Sequence, residues 1–281
     1  MIQEATIEEK EVIVVEPQAT ATDTSQKPLM LDISGLSKVY PTPKGPYVVL
    51  EGLDLKIRES EFICIIGHSG CGKSTLLSMI AGLNGISEGT IMLNGSEIVG
   101  PGPDRGVVFQ APSLFPWMST LENVLLGVKQ VFPHGTTQEQ IDIAKHYLAR
   151  VGLEDAFEKK ASDLSQGMQQ RVGIARAFAL KPNILLLDEP FGMLDSLTKN
   201  ELQQVLIDVV EQEQITAIMV THDVDEAIFL ADRVVMMTSG PYAKIGKDQP
   251  IGFQRPRNKV EVMEDPNYYK ERDVLIDFLN H

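Results

Sequence analysis

Cysteine is scarce, with two in 281 residues, Cys64 and Cys71. Two thiols make no disulfide framework, and neither has metal-site spacing. Both are expected to be reduced, with Cys71 a small filler in its loop. No run of about 18 consecutive apolar residues occurs, so no membrane-spanning helix is expected. The opening Met1-Ile2-Gln3-Glu4 lacks the basic segment and following apolar segment of a secretory signal. Positive charge is also short. There are 25 Lys and Arg against 39 Asp and Glu, a net charge of −14, which argues against nucleic acid as a partner. No internal repeat is evident, and Trp117 is the single tryptophan. What remains is ordinary for a globular protein, 43% apolar and 23% charged, and long enough for one large domain or two small ones.

Residues 1–28 mix Glu, Thr, Gln and Pro and are expected to form a disordered acidic tail, with one apolar run at 12–15. Strands are expected at 31–34, 47–50, 53–57, 62–66, 90–95 and 105–110. From about 111 to 165 the texture turns helical. Ile141, Ala144, Leu148 and Val151 recur at helical spacing behind Thr136 or Thr137 as a cap, with Glu139 near the first turn. Strand-and-helix alternation resumes with the apolar run 184–187, typical of a buried parallel strand. A helix through Leu202, Val205, Leu206 and Val209 follows, then a strand at 216–220, a helix from Val224 and a strand at 233–237. Residues 241–281 read as a C-terminal extension, Pro-rich first. It closes with a helix capped by Asp265, with Pro266 at its first position and Val274, Leu275, Phe278 and Leu279 packed on its own domain.

One stretch organises the chain. Gly67-His68-Ser69-Gly70-Cys71-Gly72-Lys73-Ser74 fits G-x-x-x-x-G-K-[ST] at every fixed position. An apolar run of strand length precedes it, and Thr75-Leu76-Leu77 reads as the start of a helix. Glycines let backbone N–H groups turn inward as an anion nest, and the helix N-terminus adds its positive dipole end. Lys73 should reach the β- and γ-phosphates of a nucleotide, and Ser74 should hold Mg²⁺. A second stretch, Ile184-Leu185-Leu186-Leu187-Asp188-Glu189-Pro190, puts two carboxylates at the end of a buried strand. Asp188 can support Mg²⁺ and Glu189 can polarise the attacking water. The plain alternatives are a Gly-rich turn with a surface lysine and an acidic strand-to-loop junction.

Leu164-Ser165-Gln166-Gly167-Met168-Gln169-Gln170-Arg171 decides the family. It resembles the L-S-G-G-Q signature of ATP-binding-cassette proteins, departing at Gln166 and Met168. The resemblance implies an α/β fold, a P-loop NTPase cassette with a RecA-like core, an antiparallel β subdomain and a helical insertion. It would span 29–240, with the helical subdomain at about 111–165. It further implies that Ser165 and Gly167 meet the γ-phosphate of ATP held by a second cassette, so that two chains sandwich two nucleotides. Tyr40 resembles the aromatic that stacks on adenine. Gln110 resembles the glutamine that touches Mg²⁺ or the attacking water. Asp195, in Gly192-Met193-Leu194-Asp195, resembles the acid that reaches across the dimer, and His222 the switch histidine that contacts the γ-phosphate. The implied catalytic residues are Glu189, His222 and Gln110. The implied Mg²⁺ ligands are Ser74, Gln110 and Asp188, and the loop from Gly67 to Thr75 binds ATP.

A single cassette with no heptad array and an acidic surface is similar to importer subunits rather than to soluble cassettes acting on DNA or ribosomes. That likeness implies a peripheral protein on the cytoplasmic face of the inner membrane. Its partners would be a second cassette, identical or paralogous, integral membrane permease subunits and, indirectly, a solute-binding protein. Ala111-Pro112-Ser113-Leu114-Phe115-Pro116-Trp117-Met118 is the expected docking wall for a permease helix, with Trp117 as anchor and core packing as the rival role for Leu114 and Phe115. Pro101-Gly102-Pro103-Asp104-Arg105 with Leu114-Phe115-Pro116-Trp117 is similar to the branch serving nitrate, bicarbonate, sulfonate, taurine and pyrimidine-precursor import. Arg255-Pro256-Arg257-Asn258 and Met263-Glu264-Asp265-Pro266-Asn267-Tyr268-Tyr269 resemble the cyanobacterial nitrate and bicarbonate importers. Nitrate is the expected cargo, bicarbonate the runner-up, and a cassette ATPase without a permease the rival of a different class.

Overall fold

The computed structural model of the chain describes residues 27–280. The tail expected over 1–28, including its apolar run, lies outside the described residues except for Lys27 and Pro28. Their carbonyls accept from Arg58 Nη1 at 2.7 Å and from the Glu59 amide at 3.0 Å.

Two sheets carry the fold. The first is antiparallel, ordered β2-β1-β4-β5, with β1 Leu29–Thr42, β2 Gly45–Arg58, β4 Glu88–Leu93 and β5 Ser96–Glu97. The three short strands expected at 31–34, 47–50 and 53–57 belong to two continuous 14-residue strands. Register shifts between Ile33 and Lys38 interrupt the alternation that marks a strand in sequence, and Gly35, at φ 59°, absorbs the bulge. The strand expected at 90–95 is the first arm of a hairpin. Asn94 and Gly95, at φ 48° and 72°, turn it into β5.

The second sheet is ordered β10-β9-β3-β8-β7-β6. Strands β3 Phe62–Gly67, β6 Arg105–Val108, β7 Ile184–Asp188, β8 Thr216–Val220 and β9 Arg233–Met237 run parallel, and β10 Ile245–Pro250 closes one edge antiparallel. Both faces are covered. Phe62, Cys64 and Ile66 of β3 join a core with the helices, while Ile63 and Ile65 join a second core with α1 (Lys73–Ile80) and the antiparallel sheet. That two-sided burial is why these strands read as unbroken apolar runs.

The helical insertion holds α2 Thr120–Val131 and α3 Thr137–Arg150. Helix α3 is the expected one, opened by a capping box between Thr136 and Glu139. Helix α2 was not anticipated, although Ser119 and Glu122 form the same reciprocal box. The core face is completed by α4 Gln166–Ala179, α5 Ser196–Glu213 and α6 Val224–Leu230. Among the described residues no helix is long and apolar enough to cross a membrane.

The C-terminal extension holds more structure than its prolines suggest: β10, α7 Lys259–Glu264 and α8 Tyr268–Asn280. Asp265 does not cap α8: it is the C-cap of α7, its side chain accepts from the Asn267 amide at 2.7 Å in the turn between the helices, and α8 begins at Tyr268 and not at Pro266. Leu275 is fully buried, with Val274, Phe278 and Leu279 packed beside it. Asp232, just beyond α6, gathers Arg255, the buried Arg257 and the Phe62 amide. Asp232→Ala therefore leaves the buried Arg257 without its carboxylate and Arg255 with only Glu211, 3.6 Å away. It is expected to destabilise the chain by about 3 kcal/mol, read as a lower urea midpoint at unchanged slope.

Candidate functional site

The phosphate loop hangs from the carboxyl end of β3, and its last glycine, Gly72, caps α1 at φ 102°. A Cβ there would lie 2.8 Å from Val49 Cγ1 and 2.9 Å from Leu50 Cδ2. The loop is thus pressed onto β2 at a point where only glycine fits in both space and conformation. Lys73 is buried. Its Nζ donates to the Gly67 carbonyl at 2.8 Å and the His68 carbonyl at 3.0 Å, so the ammonium is held inside the loop rather than extended from it. Cys71 is buried and in no disulfide, its sulfur 4.0 Å from Lys73 Nζ, the filler expected. Cys64 is buried too, and desolvation pushes its thiol well above the usual range, which leaves it unreactive.

Asp188 ends β7 and accepts from Ser74 Oγ at 2.9 Å. Strand β8 separates β7 from β3 in the sheet, so this bond crosses between the loop and the acidic strand end. Burial raises the Asp188 pKa; the Ser74 hydroxyl lowers it, Glu189 raises it and Lys73 lowers it, with burial the largest effect. Glu189 takes φ 44°, unusual for a side-chain-bearing residue, and its amide donates to the Val220 carbonyl of β8 at 2.9 Å. His222 Nδ1 lies 3.2 Å from Glu189 Oε2. A carboxylate only accepts, so this nitrogen carries the proton. Ser69, Gly70, Gly72, Lys73, Ser74 and Thr75 face Glu189 and His222 across a cavity of about 550 Å³. A second cavity of about 630 Å³, apolar and set between α2 and α3, holds none of these groups.

Gly67, His68, Cys71 and Asp188 adjoin the cavity without lining it, and five expected site residues stand away from the phosphate loop altogether. Tyr40 lies on β1, its hydroxyl accepting from Asn84 Nδ2 at 2.6 Å and its ring 4.7 Å from Lys38 Nζ. Gln110, expected at a strand end, lies two residues beyond the end of β6. It lines a separate 230 Å³ cavity with Gln166 and Gln170. Ser165 caps α4, accepting from the Met168 amide at 3.3 Å. Gly167 packs on α5 so closely that a Cβ would be 2.7 Å from Thr198 Cγ2. Asp195 caps α5, and hydrogen bonds from Thr198 and Leu197 hold its carboxyl below the usual range.

The wall at 111–118 divides its residues as follows. Leu114 packs on the core, whereas Trp117 is 70% exposed with its ring 5.4 Å from that of Phe115. Asn123 holds the loop by accepting from the Phe115 amide at 2.8 Å. A polar cluster behind His222 escaped the sequence reading: Lys199, Thr221, Asp223 and Glu226. The spacing of Asp223 and Glu226 immediately after a strand is a helix-start signal that could have pointed to it.

The donor set fits Mg²⁺. A partly buried carboxylate beside a serine hydroxyl and a second acid offers the hard oxygens such an ion takes. Because the Asp188 pKa is raised in the folded chain, the native state binds more protons than the unfolded one above the unfolded pKa. Wild-type stability therefore falls as pH rises through that window, up to the folded pKa. Asp188→Asn is expected to raise the melting temperature of the nucleotide-free chain at pH 8, with a smaller gain near pH 4.

A family profile described as ABC transporter matches residues 50–192. The bicarbonate transport ATP-binding protein CmpD of Synechocystis sp. is 53% identical over 261 residues, covering 92% of this chain and 93% of its own length. The nitrate import ATP-binding protein NrtD of Synechococcus elongatus is 52% identical over 244 residues, covering 87% and 89%. Among solved structures, the post-hydrolysis dimer of the ATP-binding cassette MJ0796 bound to ADP and Pi has a TM-score of 0.72 at 31% identity, covering 80% of this chain and 100% of that one. With the loop at 67–74 and the acidic strand end at Asp188 joined through Ser74, the chain belongs to the ABC transporter family, as an ATP-hydrolysing cassette of the nitrate and bicarbonate importer branch.

Proposed function

We propose that this chain energises bicarbonate import across the inner membrane, working as one of two cassettes beneath a permease. The observation that carries the reading is 53% identity to a bicarbonate transport protein over nearly the full length of both chains. The preference for nitrate drawn from the C-terminal motifs gives way to the runner-up. Nitrate remains the second reading, favoured by 52% identity to a nitrate import protein. The named relatives are transport and import proteins, which favours a cassette coupled to a permease over one acting alone.

The loop amides and Lys73 bind the phosphates of ATP, and Lys73 exchanges its bonds to Gly67 and His68 for phosphate oxygens. Ser74 and Asp188 would hold Mg²⁺, with Gln110 brought to them on closure, and the ion would supply screening of the phosphate charge. Glu189 accepts the proton of the attacking water. His222 orients Glu189 through Nδ1 and, when both ring nitrogens carry protons, donates from the other to the γ-phosphate. Tyr40 stacks on adenine with the ring face left free by Lys38. Ser165 and Gly167 of one chain complete the site of the other, since no signature residue lines the phosphate cavity of its own chain. Asp195 lies at the same dimer seam. Closure moves Gln110 and with it the Phe115–Trp117 wall, which grips the permease at the cytoplasmic face. A periplasmic solute-binding protein supplies the anion to that permease.

Glu189→Gln is expected to bind ATP and lower turnover at least about a hundredfold, leaving a stable dimer on size exclusion. Normal hydrolysis by this variant removes Glu189 as the base. Lys73→Ala should weaken ATP binding about tenfold or more by titration calorimetry, because a charged hydrogen-bond donor is lost. For the cargo, cells lacking this gene and complemented with it should regain uptake of labelled bicarbonate. Recovery of nitrate uptake alone selects the second reading.

A further inference from the structure

Lys199 sits one helical turn past Asp195, its amide donating to the Asp195 carbonyl at 2.9 Å. Its ammonium reaches away from α5 to the start of α6, 2.6 Å from Asp223 Oδ2 and 3.1 Å from Glu226 Oε1. Glu226 is buried, and its other oxygen accepts from Thr221 Oγ1. Thr221 Oγ1 in turn accepts from the Asp223 amide at 3.1 Å. The two residues flanking His222 are therefore both tied to one lysine–carboxylate cluster. His222 itself is exposed and has only Glu189 as a side-chain partner among the described residues. The surrounding charges have been placed as well. Gln203 donates to Glu226 at 2.9 Å, and Lys259 from α7 stops at Gln203 and Asn200 without reaching the carboxylates. Lys199 is thus the cation that joins Asp223 and Glu226. Beside this cluster a cavity of about 220 Å³ opens toward Glu189 and His222.

We infer that Lys199 is a positioning residue for hydrolysis, locking the backbone on both sides of His222 to the first turn of α5 so that movement of the Asp195 segment is carried to the histidine. Without Lys199 two carboxylates at the start of α6 face each other with no cation between them. One of them is buried, and their repulsion is relieved by protonating one acid or by moving the segment 221–223, either of which loosens the hold on His222. Lysine suits this place because one ammonium carries three donors and can serve both acids at once. The inference rests on the reading of His222 as a γ-phosphate contact.

The test uses the full-length chain and variants at Lys199, Glu226 and His222, with ATPase kinetics and the imidazole resonances of labelled histidine. Lys199→Met is expected to lower kcat about tenfold with the KM for ATP changed less than about twofold, and to move the His222 resonance, identified by its loss in His222→Ala. Lys199→Arg should restore most of kcat. Lys199→Met combined with Glu226→Gln should fall no further than the worse single variant, because both act through one pair. Should Lys199→Met not fold, Lys199→Gln with Glu226→Gln removes both charges together and carries the same two readouts. Normal turnover by His222→Ala overturns the reading of the site. Loss of turnover in His222→Ala, with kcat and the His222 resonance unmoved in folded Lys199→Met, overturns the role of Lys199 alone.

Discussion

Strand β3 has no free face. Its side chains alternate between two cores, each fully buried, and it pairs in parallel with β8 on one side and β9 on the other. Burying residues such as Phe62, Ile63 and Ile65 contributes roughly 1.5–3 kcal/mol each. A strand so confined cannot shift its register without pulling apolar groups from both cores at once. The phosphate loop inherits that fixity. Its far end is fixed independently, where Gly72 lies against Val49 and Leu50 of the antiparallel sheet. The loop is therefore held by two sheets at two ends, and a cradle for an anion keeps its shape with no anion in it.

The acidic side of the site depends on the same sheet by a different route. Asp188 and Glu189 leave β7, His222 leaves β8, and the amide of Glu189 is bonded back to Val220. Parallel strands bring all three to one rim, which is where open α/β sheets bind ligands. The polar groups behind that rim are not surface decoration. Glu226 and Arg257 are almost wholly buried, and each has its charge answered by named partners, Lys199 for the one and Asp232 for the other. Such pairs add little net stability, yet removing one partner is costly, so they fix where α6 begins and ends. Asp225 at the start of α6 is also held by Tyr268 and Arg272, so the C-terminal extension packs on the helix that His222 precedes.

Legibility in the sequence followed physical locality. The loop 67–74, the strand ends at Asp188 and His222 and the Thr136 cap were readable because each is a short pattern with a local cause. The bulged β1 and β2 were not, since their pairing is long-range and their register shifts erase the period-two signal. Helix α2 was readable in principle from Ser119 and Glu122 and was overshadowed by the proline-rich wall before it. Strand β10 could not be read at all: its residues are mostly polar, and it exists because the β9 edge is there to pair with. The Lys199 cluster was hidden for a related reason, since 24 positions separate Lys199 from Asp223.

The residues that one chain fails to bring together form a pattern of their own. Ser165, Gly167 and Asp195 lie at the starts of α4 and α5, and in this chain each is occupied locally: a cap, a close helix contact, a second cap. Their positions share one seam, because Gly167 touches Thr198 in the first turn of α5. A hydroxyl and free amides at one helix start are an anion-seeking group with no anion-binding partner in their own chain. The phosphate cavity has the converse character: a lysine, a loop of amides, Glu189 and His222. Two copies arranged so that each presents its seam to the other's cavity satisfy both, and the two nucleotides become part of the contact. Under the proposed function such an association would be made through ATP together with the exposed Met193 and Leu197 beside the seam, and the exposed Trp117 would stay available to a different partner.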